Sequence, residues 1–304
     1  EMMGTLCDKV QEHLEAGDID VAGIKALQAE YDNIIKVEFP KVIEPGMDLT
    51  ALLVNPNFTK NITEGWTWAN GSGNFGASAC EAYQTNFNVY QELTGLPNGL
   101  YEVGLQGFCR QGWADVAAAN YEAGTEDIQA YVYGMSGGMT KKTPFKSIFD
   151  GRDSESHYTE NVTDVSHLIN PWGPTDSEIT INGETCYVPN GMAGFAIWEE
   201  MGDNRYQATA QVFVADGTLR IGAACDDWRD GGFWTIFDSF TLKYVSDQMG
   251  DIVKEAAREE LQRIQSKYDN LAMNQPLPAD LSAALTALSE ELEAAEGDEA
   301  VKTV

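Results

Sequence analysis

The sequence predicts a mainly β protein with α flanks: a jelly-roll-like antiparallel β-sandwich with a helical hairpin at each chain end. Three observations carry this. All seven Trp lie between Trp66 and Trp234, and 24 of the 29 Gly lie between positions 46 and 245. The two flanks are poor in Gly and aromatics and rich in Ala, Leu, Glu and Gln, which favour helix. Between them, short strand-like runs alternate with Gly, Asn and Pro clusters, with no helical pattern long enough to suggest a parallel βαβ fold. The expected boundaries are 1–44 for the first flank, 45–245 for the sandwich and 246–304 for the second flank, the two flanks either packing on each other or each joining a neighbouring repeat.

In chain order, Leu6, Val10 and Leu14 make the first helical stripe. Asp20 is the expected N-cap of a second helix, whose stripe is Ile24, Leu27, Tyr31 and Ile34. Pro40 and Pro45-Gly46 are expected to end it. Three strand pairs with turn residues between them read as hairpins. They are Phe87–Leu93 with Leu100–Arg110, Ile179–Ile181 with Cys186–Val188, and Gln207–Val214 with Leu219–Ala223. Thr235–Val245 is the last strand. Trp113–Glu126 and Tyr158–Ser177 are long connections of the kind that often carry function. In the second flank, Val253, Ala257, Leu261, Ile264, Tyr268 and Leu271 form a stripe broken by Pro276 and Pro278. Asp280 is the expected cap of a last helix carrying Leu281, Leu285, Leu288 and Leu292. The flanks also repeat: Ile24-x-x-Leu27-Gln28-x-x-Tyr31-Asp32-Asn33-Ile34 aligns without gaps to Leu261-x-x-Ile264-Gln265-x-x-Tyr268-Asp269-Asn270-Leu271.

Charge narrows the function. With 19 basic and 48 acidic residues the net charge is −29, which disfavours a nucleic-acid backbone or an anionic membrane as partner. No run approaches the ~20 apolar residues of a membrane helix, and no signal segment is present, so the chain reads as a mature or excised piece of something longer. Five cysteines without Cys-x-x-Cys spacing argue against a zinc or thioredoxin-like site and leave one disulfide open. The three histidines form no His-Glu-x-x-His motif. No nucleophile elbow or phosphate loop is present either.

Leu53-Val54-Asn55-Pro56-Asn57-Phe58 followed by Gly65-Trp66, the block Val89 to Tyr101, Gly107-Phe108-Cys109-Arg110, Asp216-Gly217-Thr218-Leu219, and Trp234-Thr235-Ile236-Phe237-Asp238-Ser239-Phe240 occur in order. Together they resemble the galactose-binding-domain-like β-sandwiches, the fold of many carbohydrate-binding modules, particularly those of exported gut-bacterial glycan-handling proteins. The resemblance spans residues 52 to 245. It implies a location outside the cell, at the cell surface or in the periplasm, a glycan or polysaccharide partner, no required cofactor, and a ligand site on loops at one end of the sandwich. It also implies a structural calcium between the opening loop and the last strand, with Asp238 as a ligand. Thr59 departs from the acidic residue common at that position in calcium-binding relatives.

A sugar needs a flat apolar face for its C–H side and planar polar groups for its hydroxyls. Two loops offer these. One supplies Asp226, Asp227, Trp228 and Arg229, the other Arg110, Trp113 and Tyr121. The competing expectation is that Trp113 or Trp228 caps the core while the charges face water. Trp66, Trp68, Trp198 and Trp234 are expected in the core. Alternation along the last strand puts Asp238 on one face with Ile236, Phe240, Leu242 and Tyr244, where a carboxylate needs a partner. Glu199-Glu200, read as strand residues, point to opposite faces. The expected function is a non-catalytic glycan-binding or adhesion module. The alternatives are an architectural spacer in a multi-repeat surface protein, joined to neighbouring domains of a longer chain through its helices, and a polysaccharide-active enzyme.

Overall fold

The computed structural model describes residues 2–58, 63–76, 79–157, 175–228, 231–247, 249–272 and 279–295. Alternating apolar residues in the middle of the chain build two antiparallel five-strand sheets that face each other. The front sheet has the order β1 (Thr67–Asn70), β4 (Phe87–Thr94), β12 (Thr218–Cys225), β6 (Ala130–Ser136), β7 (Met139–Pro144). The back sheet has the order β11 (Gln207–Val214), β5 (Gly99–Arg110), β13 (Trp234–Ser246), β3 (Ala79–Tyr83), β2 (Asn74–Gly76). A short β8 (Lys146–Ser147) lies parallel to β5. One residue in two on each strand points inward: Phe87 and Val89 of β4, Val103 and Leu105 of β5, Ile221 and Ala223 of β12. Phe58, Trp66, Phe237 and Phe240 pack edge-on or tilted at the end of this core. Each such burial contributes about 1.5–3 kcal/mol, so the sandwich dominates the stability of the chain.

Two of the three expected hairpins are arches. β4 and β5 belong to different sheets, and so do β11 and β12. The turns at Gly95–Asn98 and Ala215–Gly217 carry the chain across the core, and they lie side by side, with Leu96 N–H donating to Gly217 O at 3.1 Å. The physical reason is that a turn signal marks a reversal, while the choice of partner strand depends on which inner faces meet. Of the three, β9 (Asp176–Ile181) and β10 (Glu184–Pro189) do form a true hairpin. Its Asn182-Gly183 turn has positive φ at both residues, as a tight two-residue hairpin requires.

That hairpin, with α3 (Ala114–Ala123) and α4 (Gly191–Glu200), covers the outer face of the back sheet. A second core forms there from Phe108, Ile148, Phe149, Val188, Phe195, Trp198, Tyr206, Trp234 and Ile236. The expected long loop 113–126 therefore contains a helix. Glu199 and Glu200 lie on a helix too, where Glu199 turns inward and Glu200 stays exposed.

β13 changes phase midway. Ile236 faces the outer core, whereas Phe240, Leu242 and Tyr244 face the inner one. A bulge between Asp238 and Thr241, with Ser239 at φ +50°, inserts the extra residue that swaps the faces. Of the four apolar residues expected beside it, Asp238 thus shares its face with Ile236 alone, which corrects the strict alternation expected from the sequence.

At the ends, α1 (Met2–Ala16) packs on α2 (Val21–Asn33), and α5 (Met249–Ala272) on α6 (Ala279–Ala294). Asp20 caps α2 as expected, accepting from Gly23 N at 2.7 Å. Pro40 does not stop the helical turns: a π turn (Ile34–Glu38) and a 3-10 turn (Phe39–Val42) follow α2, with Pro40 in the first turn of the latter. Lys9 pairs with Glu30 across the first hairpin, and Arg258 with Glu293 across the second. Between α1 and α2 an apolar groove of about 580 Å³ stays open, lined by Leu6, Cys7, Val10, Leu14, Ile24 and Tyr31. No described helix is long and apolar enough to cross a membrane. All five cysteines are free thiols; Cys7 is exposed and the other four are buried.

Candidate functional site

Where β5 ends and β13 begins, register places Tyr83, Trp234 and Arg110 side by side on the outer face of the back sheet. The Arg110 guanidinium lies over the Trp234 ring at 4.9 Å. Its Nε donates to Gly112 O at 3.1 Å and its Nη2 to Gly232 O at 3.3 Å, which ties the loop after β5 to the loop before β13. Burial pulls Arg110 below its ordinary pKa, yet a guanidinium remains charged. Trp113 follows, at the N-cap of α3, with 55% of its surface exposed. The indole rests against Gly231 and Gly232. A Cβ on Gly232, whose φ is +87°, would stand 2.6 Å from Trp113 N and 2.8 Å from its Cδ2. Only glycine lets the ring sit there. Tyr83 flanks the other side of Trp234 and is 44% exposed. Trp234 Nε1 donates to Glu81 Oε1 at 2.7 Å. The result is an exposed indole and an exposed phenol around a partly buried cation.

The other expected site residues go elsewhere. Tyr121 is on α3, packed on Phe149, and its hydroxyl accepts from Arg152 Nη1 at 2.9 Å, a core role. Trp228 is half-buried against the main core, with its N–H donating to Asn86 Oδ1 at 2.9 Å. It packs against the sandwich core. Asp226 and Asp227 are exposed, and Asp226 accepts from the Tyr131 hydroxyl at 2.7 Å on the front sheet. Arg229 lies outside the described residues. Of the seven, the structure brings Arg110 and Trp113 together. Tyr83 was not singled out from the sequence, because its proximity depends on which strands pair.

The outer face of the front sheet is a second aromatic surface that sequence reading missed. Tyr133 lies over Gly222, and its hydroxyl donates to Asn88 Oδ1 at 2.8 Å. Arg220 stacks over Tyr90 at 4.0 Å while holding Glu92, and Lys142 sits over Tyr131 at 4.3 Å. Cations already occupy the ring faces of Tyr90 and Tyr131, so this surface is closed by its own side chains.

Asp238 contacts Glu199 of α4 under the helix. Burial first, and then the Glu199 charge, push the Asp238 carboxyl well above the ordinary range, while burial and the Glu200 charge raise Glu199 against its hydrogen bonds with Ser239 and Asp238. Two carboxyls in contact away from water disfavour the doubly ionised state. On the opening loop, Pro56 O accepts from Phe240 N–H at 2.9 Å, and Phe58 packs into the inner core. The described donors therefore do not fit a calcium site between Asp238 and the opening loop. Two carboxyls on the outer face fall short of the 6–8 oxygens calcium takes, and no group of three or more His, Cys, Asp or Glu among the described residues is placed for a metal. The same pair does not have the spacing of glycosidase carboxyls, about 5–9.5 Å across a cleft.

No protein-family model matches the chain, and no curated protein matches it by sequence. Among solved structures, a carbohydrate-binding module, TmCBM27, described for specific mannan recognition, aligns at 13% identity over 66% of this chain and 97% of that one, with a TM-score of 0.23. A Bacteroides thetaiotaomicron protein described as sugar-binding aligns at 10% identity over 67% of this chain and 91% of that one, with a TM-score of 0.22. Similarity this remote does not bear on ligand or chemistry, which have to be argued from the side chains.

Proposed function

We propose that the chain is a non-catalytic glycan-binding or adhesion module of an exported bacterial protein, with its ligand on the loop end around Trp113. The observation that carries this is the exposure of Trp113 on a glycine seat beside Arg110. An indole held open to water costs hydration free energy, and an apolar ring face is what the C–H side of a pyranose requires. Arg110 supplies fixed N–H donors for hydroxyls, and Tyr83 extends the platform. Titration of oligosaccharides drawn from plant, host and microbial glycans, followed by Trp fluorescence, tests it. Saturable binding is expected for at least one. Trp113→Ala should weaken it at least about tenfold, the scale of a central aromatic contact, while Trp228→Phe leaves it unchanged. Binding indifferent to Trp113→Ala, or no binding across the set, overturns the reading.

The architectural alternative has its own observation. The α1–α2 groove is apolar and open, and the seam of α2 recurs in α5. A self-associating chain with no glycan affinity, as seen by sedimentation, favours that role instead.

A further inference from the structure

Every solvated guanidinium in an acidic protein has carboxylates to choose from, and three here have taken one, while Arg152 bonds the Tyr121 hydroxyl and the Phe149 carbonyl. Arg205 pairs with Asp153 and Asp203, Arg220 with Glu92, and Arg258 with Glu293. Arg110 does not. Among the described residues its hydrogen bonds run to two backbone carbonyls, those of Gly112 and Gly232, and its face rests on Trp234. Glu81 is engaged by the Trp234 indole N–H instead. Nη1 has no hydrogen-bond partner among the described residues, and the side chain keeps some exposure at the rim beside Trp113. Among the described residues no carboxylate pairs with this partly buried cation, which is held by neutral carbonyls and a π face. It is also fixed in place, so a ligand that neutralises it loses little ordering entropy in doing so.

Resting on the glycan reading above, we infer that this site selects sugars bearing a carboxylate: a uronic acid residue whose ring lies on Trp113 and whose carboxylate meets Arg110. A guanidinium matches a planar carboxylate with paired N–H donors, which a hydroxyl cannot reproduce. The chain's charge of −29 opposes a long dense polyanion. Screening limits that opposition to charges within about 8 Å at physiological salt, so the fitting ligand is a short or sparsely charged uronate.

The experiment compares, on the whole chain, short oligogalacturonates and oligomannuronates with the same oligosaccharides after carboxyl reduction. The wild type is expected to bind at least one acid form about tenfold more tightly than its reduced counterpart. Arg110→Gln should abolish that difference, bringing the affinity for the acid form down to that for the reduced form, and Arg110→Lys should retain part of it. Thermal unfolding of each variant shows whether the two loops stay joined. If Arg110→Gln fails to fold, the acid-against-reduced comparison on the wild type still decides. Equal affinity for the two forms, preference for the reduced form, or a preference that survives Arg110→Gln in a folded protein overturns the uronate inference and leaves the glycan reading standing. Absence of binding to these and to all neutral glycans overturns both.

Discussion

Single residues set the pH response. The folded carboxyls of Asp238 and Glu199 titrate above their ordinary values of 3.8 and 4.5, with burial the largest cause. Glu126 is pushed up to about 7 by burial and by Asp150, against a hydrogen bond from Ser147. Folding therefore favours the protonated forms. Their contribution is complete below the ordinary carboxylate values and is lost as pH rises through the folded ones. For Glu126 the window runs from 4.5 to about 7. Chemical denaturation at a series of pH values should show stability falling across it, with Glu126→Gln flattening that fall and Asp238→Asn removing a further decline at higher pH. Gly222 makes a steric prediction. A Cβ there would meet Val89 O at 2.3 Å and the Tyr133 ring at 2.9 Å. Gly222→Ala in this central strand should cost about 1–3 kcal/mol in urea unfolding.

At the scale of elements, each cap and turn has a local reading. Asp20→Ala removes the bond to Gly23 N and should cost about 1 kcal/mol of α2 stability. Because α2 packs on α1 and not into the sandwich core, hydrogen exchange should accelerate in residues 21–33 with little change in β5 or β13. Local features such as this cap were legible in the sequence, as were the helical stripes, the Asn182-Gly183 hairpin and the strand segments. Long-range pairing was not. The turns at residues 95–98 and 215–217 have hairpin composition yet bridge opposite sheets, since partner choice is made by inner faces far apart in sequence. The bulge at Ser239 was invisible for a related reason: one residue in the left-handed region reverses all later faces of β13, and Phe240 then reads as Asp238's neighbour when it is not. Half of the site was legible for the same cause. Arg110 and Trp113 are close in sequence and were found together. Tyr83 and Gly232 reach them only through the register of β3, β13 and β5.

For the whole molecule, two sheets with a second layer behind one of them make a rigid middle, and the helical hairpins are smaller bodies closed on themselves. Amide exchange should be slowest in β5 and β13, which are covered on both faces, and faster in α1, α2 and α6. Net charge acts on the entire chain. At −29 the compact state repels itself, so moderate salt should raise the melting temperature, and an unchanged or lowered value would show that local ion pairs such as Arg220–Glu92 outweigh the global term.

The distribution of thiols gives the molecule a built-in tally of its own unfolding. Four cysteines sit in the two cores, and burial pushes Cys109 up to about 12. Cys7 lies at the surface, on the wall of the α1–α2 groove. An alkylating reagent should therefore mark one position on the native chain and five on the denatured one, a count readable by mass. A dye carried on Cys7 would report whatever comes to rest between the first two helices, at a distance from the loop end where a sugar would bind, so that assembly and ligand recognition can be followed on one molecule in separate colours.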